Sequence, residues 1–266
     1  MTYWSVTRDG AVAIATYLNP PMNYFTADGA AELAELITDW AAPDVRAVVL
    51  VGGVPGRFIT HYSVEELAEL AADPVALAQL GTSLNTGYYE LLQRLRDLPK
   101  PVIAAINGDA MGGGFELCLA CDIRILQYGD HRVGLPETRL GIIPGGSGTQ
   151  TLSRLLGAGK AIEFVLRGRV VSPEDALALG LVHELAHDAQ SRAIVIAQDL
   201  ASESPLAMAM AKRAVYGGSD LPFEEGLMVE AEASVSVIGS SEGLESMQRY
   251  LSEPLDRRRD WLDRAK

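Results

Sequence analysis

Apolar positions along the first half of the chain alternate between two textures. Short unbroken runs, AVAIATYL (11–18), VRAVVLVGG (45–53) and PVIAAING (101–108), are rich in branched and small apolar residues. Such runs read as strands buried on both faces. Between them lie TADGAAELAELITDWAA (26–42) and VALAQLGTSLNTGYYELLQRLRDL (75–98), which read as helices. IRILQ (123–127) and GLVHEL (180–185) are further strand candidates. Strands alternating with helices predict an α/β fold with parallel pairing.

Helix-start signals sharpen this picture. Ser63-Val-Glu-Glu66 is a capping box, in which the Ser63 hydroxyl accepts an amide proton from the third helical position and Glu66 reaches back. Ser172-Pro173-Glu-Asp has a cap, a first-position proline and acids in the first turn, and Gly180 stands where a C-terminal glycine belongs. Beyond about residue 190 the texture changes: 190–203, 205–216 and 223–251 read as helices with no strand between them. The expected organisation is an α/β core over 1–190 and a helical region over 191–266.

Composition narrows the function classes. The chain has 266 residues, 48% of them hydrophobic and 21% charged, ordinary values for a globular protein with a sizeable core. A net charge of −13 disfavours nucleic acid and anionic membranes as partners, while leaving room for a small anionic ligand at a local basic residue or a helix N-terminus. No apolar run approaches membrane-spanning length, and MTYWSVTRDGAV lacks the pattern of a signal peptide, so a cytoplasmic location is expected. Cys118 and Cys121 form a single C-x-x-C within apolar sequence, which reads as two buried small hydrophobes rather than a disulfide framework or a metal site.

The chemistry concentrates in INGDAMGGGFELCLACD (106–122). PVIAAING reads as a strand, DAMGGG as a turn and GFELCLACD as the start of a helix. That order presents free N–H groups beside a positive dipole end. Tight strand-to-helix packing alone would also account for the glycines. No GxxxxGK[ST] is present, and Glu116 directly after the glycines would repel a phosphate. A carbonyl that becomes anionic one step away from an acid or base suits the segment better. Glu137, within GLPETRLGIIPGGSGTQTLSRLLG (134–157), is a second carboxylate that could converge with Glu116 and divide acid and base roles with it.

These segments, continued by GKAIEFVLRGRVVSPEDALALGLVHEL, resemble the enoyl-CoA hydratase/isomerase (crotonase) family, most specifically over 99–185. The resemblance implies a spiral of ββα repeats followed by C-terminal helices that pack between subunits of a trimer or a dimer of trimers. It implies an acyl-CoA thioester substrate and no cofactor beyond the CoA the substrate carries. It also implies an oxyanion hole made by the amides of Gly113 and Tyr62, with Glu116 activating a water and Glu137 supplying a proton to the α-carbon. A 2-enoyl-CoA hydratase is the expected enzyme. An isomerase or a C–C bond hydrolase of the same family is the alternative, and a non-catalytic scaffold would need neither glutamate.

The loop GRFITHYSVEEL departs from the resemblance. Where the family carries small residues in a pattern like F-x-x-G-[AM]-D, this chain has His61, Tyr62 and Ser63. His61 is either a substrate contact or a packing residue, and Tyr62 either shapes the acyl pocket or packs. Arg57 is the nearby basic residue available to a phosphate, and Gly112 and Gly145 are further candidate substrate contacts. Tyr88 and Tyr89 read as pocket wall or core, and Thr151 stands where the family often has arginine.

Overall fold

The computed structural model describes residues 2–263. Ten strands form two sheets: β1 (Trp4–Asp9), β2 (Val12–Tyr17), β3 (Ala47–Gly52), β4 (Gly56–Ile59), β5 (Val102–Ile106), β6 (Gly108–Met111), β7 (Ile123–Gln127), β8 (Val133–Gly134), β9 (Val170–Val171) and β10 (Glu184–Ala186). The larger sheet has the order β1-β2-β3-β5-β7-β10, and the smaller one β4-β6-β8-β9. In the larger sheet every pair beyond the β1–β2 hairpin is parallel. The α/β class and the parallel pairing expected from the alternation are therefore present.

The physical reason lies in the central strands. AVVLVG of β3 and VIAAI of β5 are buried at every position, as a sheet covered on both faces requires. The helices are α1 (Ala27–Asp39), α2 (Val64–Ala71), α3 (Pro74–Leu80), α4 (Thr86–Asp97), α5 (Gly113–Ala120), α6 (Gly148–Leu156), α7 (Ala158–Leu166), α8 (Pro173–Leu179), α9 (Ala189–Ser202), α10 (Pro205–Gly218), α11 (Phe223–Ile238), α12 (Ser241–Ser252) and α13 (Arg258–Leu262). The larger core joins one face of the sheet to α1, α4, α5 and α6 through Leu33, Leu95, Phe115 and Leu152. The opposite face is covered by α9, whose Ala189, Ala193 and Ala197 share a second core with Val49 and Ile103. Alanine at that spacing lets the helix sit close against the sheet.

Several elements differ from the sequence expectation. The segment 75–98 is not one helix: α3 ends at Gly81, which takes φ +50°, and a 3-10 turn over Gly81–Asn85 leads into α4. The segment 223–251 is also divided, because Ser240 begins α12 by accepting from the Gly243 amide at 3.0 Å. DAMGGG is half strand, not all turn, and its last two glycines already belong to α5. Gly108–Met111 pairs with β4 and β8, and only Gly112 turns the chain. The capping box at Ser63 is half formed. Ser63 Oγ accepts from the Glu66 amide at 3.1 Å, but the Glu66 carboxylate accepts from the Ala27 amide at 3.0 Å and ties α2 to the start of α1. Gly180 does end α8, at φ +77°.

Candidate active site

The site is assembled where α5 leaves the smaller sheet. Gly112 adopts φ +50°, a region that favours glycine, and α5 begins one residue later. A Cβ on Gly112 would lie 3.1 Å from Glu137 Oε1, so the turn brings the backbone against the second carboxylate. A Cβ on Gly113 would lie 2.9 Å from Tyr62 Cβ and 3.5 Å from the Tyr62 nitrogen. The amides of Gly113 and Tyr62 are thus neighbours, and neither donates to another backbone group among the described residues. One is a free helix N-terminal N–H. The other sits in a loop pinned by its flanks, where the Phe25 amide donates to the His61 carbonyl at 2.8 Å and the Ser63 amide to the Phe25 carbonyl at 2.7 Å.

Glu116 sits in the first turn of α5, buried at 2% exposure. Its Oε1 accepts from the Gly146 amide at 2.8 Å and the Gly148 amide at 2.7 Å. A Cβ on Gly148 would lie 2.6 Å from that oxygen, which explains why a glycine-rich loop is needed to bring two amides so close. Burial pushes the Glu116 carboxyl up to about 7, against the lowering effect of the two amides. Glu137 opens a 3-10 turn over Glu137–Leu140 and is 8% exposed. Burial, and then the charge of Glu116, push it up to about 7 as well. Its Oε2 is buried without a hydrogen-bond partner. Such an atom is costly in a purely structural setting and points to a group the site is built to receive.

Two carboxyls that burial holds near neutrality can rest in different protonation states. One is then positioned to take a proton from water while the other gives one up. The paired amides can receive an oxygen on which negative charge develops. A carbonyl held there would present its adjacent carbons to the carboxyls.

The remaining sequence candidates are more dispersed. The His61 ring stacks on Tyr24 with centroids 4.2 Å apart, and its Nδ1 donates to the Tyr62 carbonyl at 2.7 Å. A Cβ on Gly112 would be 3.8 Å from His61 Cβ, so His61 flanks the turn. The Tyr62 ring turns into an aromatic cluster, 6.4 Å from Phe25 and 6.0 Å from Tyr88, which is packing rather than an isolated pocket wall. Arg57 lies on β4, 3.9 Å from Asp109. Gly145 faces the Asn85 side chain, not Glu116. The sequence reading missed Gly146 and Gly148 as the donors to Glu116. The run GGSG is their only local signal, and it does not say which amide turns inward.

The mixed α/β fold thus brings two neighbouring backbone amides beside two buried carboxyls. The sequence matches the enoyl-CoA hydratase/isomerase family over residues 7–263, and the chain belongs to that family. It is 35% identical over 257 residues to the Bacillus subtilis (strain 168) protein named "Probable enoyl-CoA hydratase", covering 94% of this chain and 95% of that one. It is 31% identical to the short-chain-enoyl-CoA hydratase of Clostridium acetobutylicum, over 92% of this chain and 93% of that one. Its fold is similar to the crystal structure of an enoyl-CoA hydratase from Bacillus anthracis, with a TM-score of 0.85 at 33% identity over 94% of this chain and 96% of that one. The crotonase-type fold expected from the sequence is therefore correct.

Proposed function

We propose that the protein is an enoyl-CoA hydratase that adds water across the 2,3 double bond of a 2-enoyl-CoA thioester. The observation that carries this reading is the convergence of two buried, high-pKa carboxyls, Glu116 and Glu137, on the turn whose Gly113 amide neighbours that of Tyr62. The thioester oxygen binds between the two amides. Glu116, ionised, takes a proton from a water whose oxygen bonds to the β-carbon, and the electron pair of the double bond moves onto the thioester as an enolate. Glu137, protonated, then gives its proton to the α-carbon, and the carbonyl re-forms. Removing one amide donor from such a hole costs about 3 kcal/mol of barrier. The names of the relatives support the substrate class.

In this reading Gly112 and His61 border the thioester, Gly145 belongs to the loop that carries the Glu116 donors, and Arg57 meets a phosphate of CoA. No cofactor is required, since CoA arrives with the substrate. Residues 191–266 are the region through which copies would associate as a trimer or dimer of trimers. Phe223, Val235 and Leu255, exposed at 80%, 71% and 80%, support that role. No helix among the described residues is long and apolar enough to cross a membrane, which is compatible with action in the cytoplasm.

The test is the loss of enone absorbance when purified protein meets crotonyl-CoA, with Glu137→Gln as control. A decay that depends on Glu137 supports hydration. An undiminished decay in the variant refutes the mechanism. The stacked His61 and the bulky Tyr62 favour one other reading, isomerase or C–C hydrolase chemistry on a different carbonyl substrate. Calorimetry with acyl-CoA thioesters separates the two, because no binding heat with any of them would favour that second reading.

A further inference from the structure

Tyr88, which the sequence offers only as pocket wall or core alongside Tyr89, meets three parts of the candidate site: the Gly113 carbonyl, the Tyr62 ring and the Gly146 loop. It lies in the first turn of α4, and its hydroxyl donates to the Gly113 carbonyl at 2.6 Å. Its ring is 6.0 Å from that of Tyr62. The ring edge also lies against Gly146. A Cβ there would run into Tyr88 and would lie 2.5 Å from Glu116 Oε2. One side chain thus holds the residue that presents one amide, packs on the residue that presents the other, and backs the loop that fixes the carboxylate. Burial raises the Tyr88 hydroxyl well above its ordinary value, so it remains a neutral donor.

The hydrogen bond serves more than the tyrosine's own satisfaction. A backbone carbonyl has two lone pairs, so Gly113 can accept from Tyr88 and still take part in its helix. The bond restrains the first residue of a helix, where fraying is easiest. That residue has no side chain of its own to anchor it. An oxyanion donor must also lie within a few tenths of an ångström of its working position.

We infer that Tyr88 is a positioning residue: its hydroxyl fastens Gly113 while its ring backs Gly146, and together they set the spacing between the Gly113 amide and the Glu116 carboxylate. The inference rests on the reading of Gly113 as an oxyanion donor.

Tyr88→Phe tests it, since the ring and its packing stay and only the hydroxyl goes. The expected result on crotonyl-CoA is a fall in kcat of about tenfold with KM changed by less than about twofold, the signature of an interaction that matters in the transition state. Amide hydrogen exchange over residues 112–117 should accelerate in the variant. A role in stability alone would lower Tm and leave kcat intact. Unchanged kcat, or a rise in KM that accounts for the whole loss, overturns the inference. If the wild-type protein turns over no enoyl thioester, the hydratase reading fails. The exchange measurement then decides this one by itself: faster exchange upholds the anchoring, and unchanged exchange overturns it.

Discussion

The two ends of α5 bury charge in opposite ways. At its start, Glu116 and Glu137 are pushed up to about 7, and Glu137 Oε2 has no partner. At its end, Arg124 is 6% exposed yet well provided for. Its Nε donates to the Leu181 carbonyl at 2.8 Å and its Nη1 to the Cys121 carbonyl at 2.8 Å, while its amide donates to His183 Nδ1 at 3.0 Å. A cation there meets the negative end of the helix. The adjacent Asp122 accepts from the Val102 amide at 2.7 Å, Lys212 Nζ at 2.7 Å and the Tyr216 hydroxyl at 2.9 Å, and so fastens α10 to the sheet. Cys118 and Cys121, between the two ends, are free, buried thiols that burial pushes up. The contrast shows how to tell the uses of a buried charge apart. A satisfied one holds the fold. The one with an orphan oxygen is the one to which the proposed function gives chemistry.

The largest expected effect falls on the strained end. Glu116→Gln and Glu137→Gln should each lower hydration of crotonyl-CoA by roughly 10²–10⁴-fold, the range for general acid–base groups, with circular dichroism unchanged. A variant within a few-fold of wild type would erase the distinction between the two ends.

The satisfied end should respond in the opposite manner. Arg124→Met leaves the Cys121 and Leu181 carbonyls without their donor and should cost about 3 kcal/mol in urea denaturation. Its kcat per folded molecule should stay at the wild-type value. A large loss of kcat at intact stability would mean that this end also serves the reaction.

A smaller effect concerns stability against pH. The folded Glu137 carboxyl is raised from 4.5 to about 7, so its proton is bound more tightly in the folded state. Its contribution is fully present below pH 4.5 and is lost as pH rises through 7. Ionisation at pH 8 therefore destabilises the wild type. Glu137→Gln, which cannot ionise, should be more stable by about 1–3 kcal/mol at pH 8 and gain almost nothing at pH 4. Thermal melts at the two pH values check this, and a gain of the same size at both would remove ionisation as the cause.

The least effect is expected at the rim. Arg57 is partly exposed and already faces Asp109, so Arg57→Ala should raise KM for crotonyl-CoA by no more than about fivefold and leave kcat alone. A fall in kcat would place Arg57 inside the reacting site instead.

The alternation of strand and helix was legible in the sequence, because β3 and β5 are wholly buried runs whose composition alone marks them. The sequence also marked Glu116, Glu137 and the glycine triplet as candidates, but it was the resemblance to a family, not their spacing, that gave them roles. It overlooked β1, whose positions after Trp4 are exposed and, apart from Val6, polar, and β6, whose glycine and aspartate resemble a turn. It also treated 75–98 as one helix, since a glycine's left-handed backbone at Gly81 leaves no trace in apolar spacing.

The tertiary structure decided which groups meet. That Gly146 and Gly148 hold Glu116, that Glu66 ties α2 to α1, and that Tyr88 reaches Gly113 are contacts between residues 25 to 39 positions apart. Local pattern reports which face of an element is apolar. It carries no information about which distant backbone amide will stand opposite a given oxygen, and that is settled only when the elements pack.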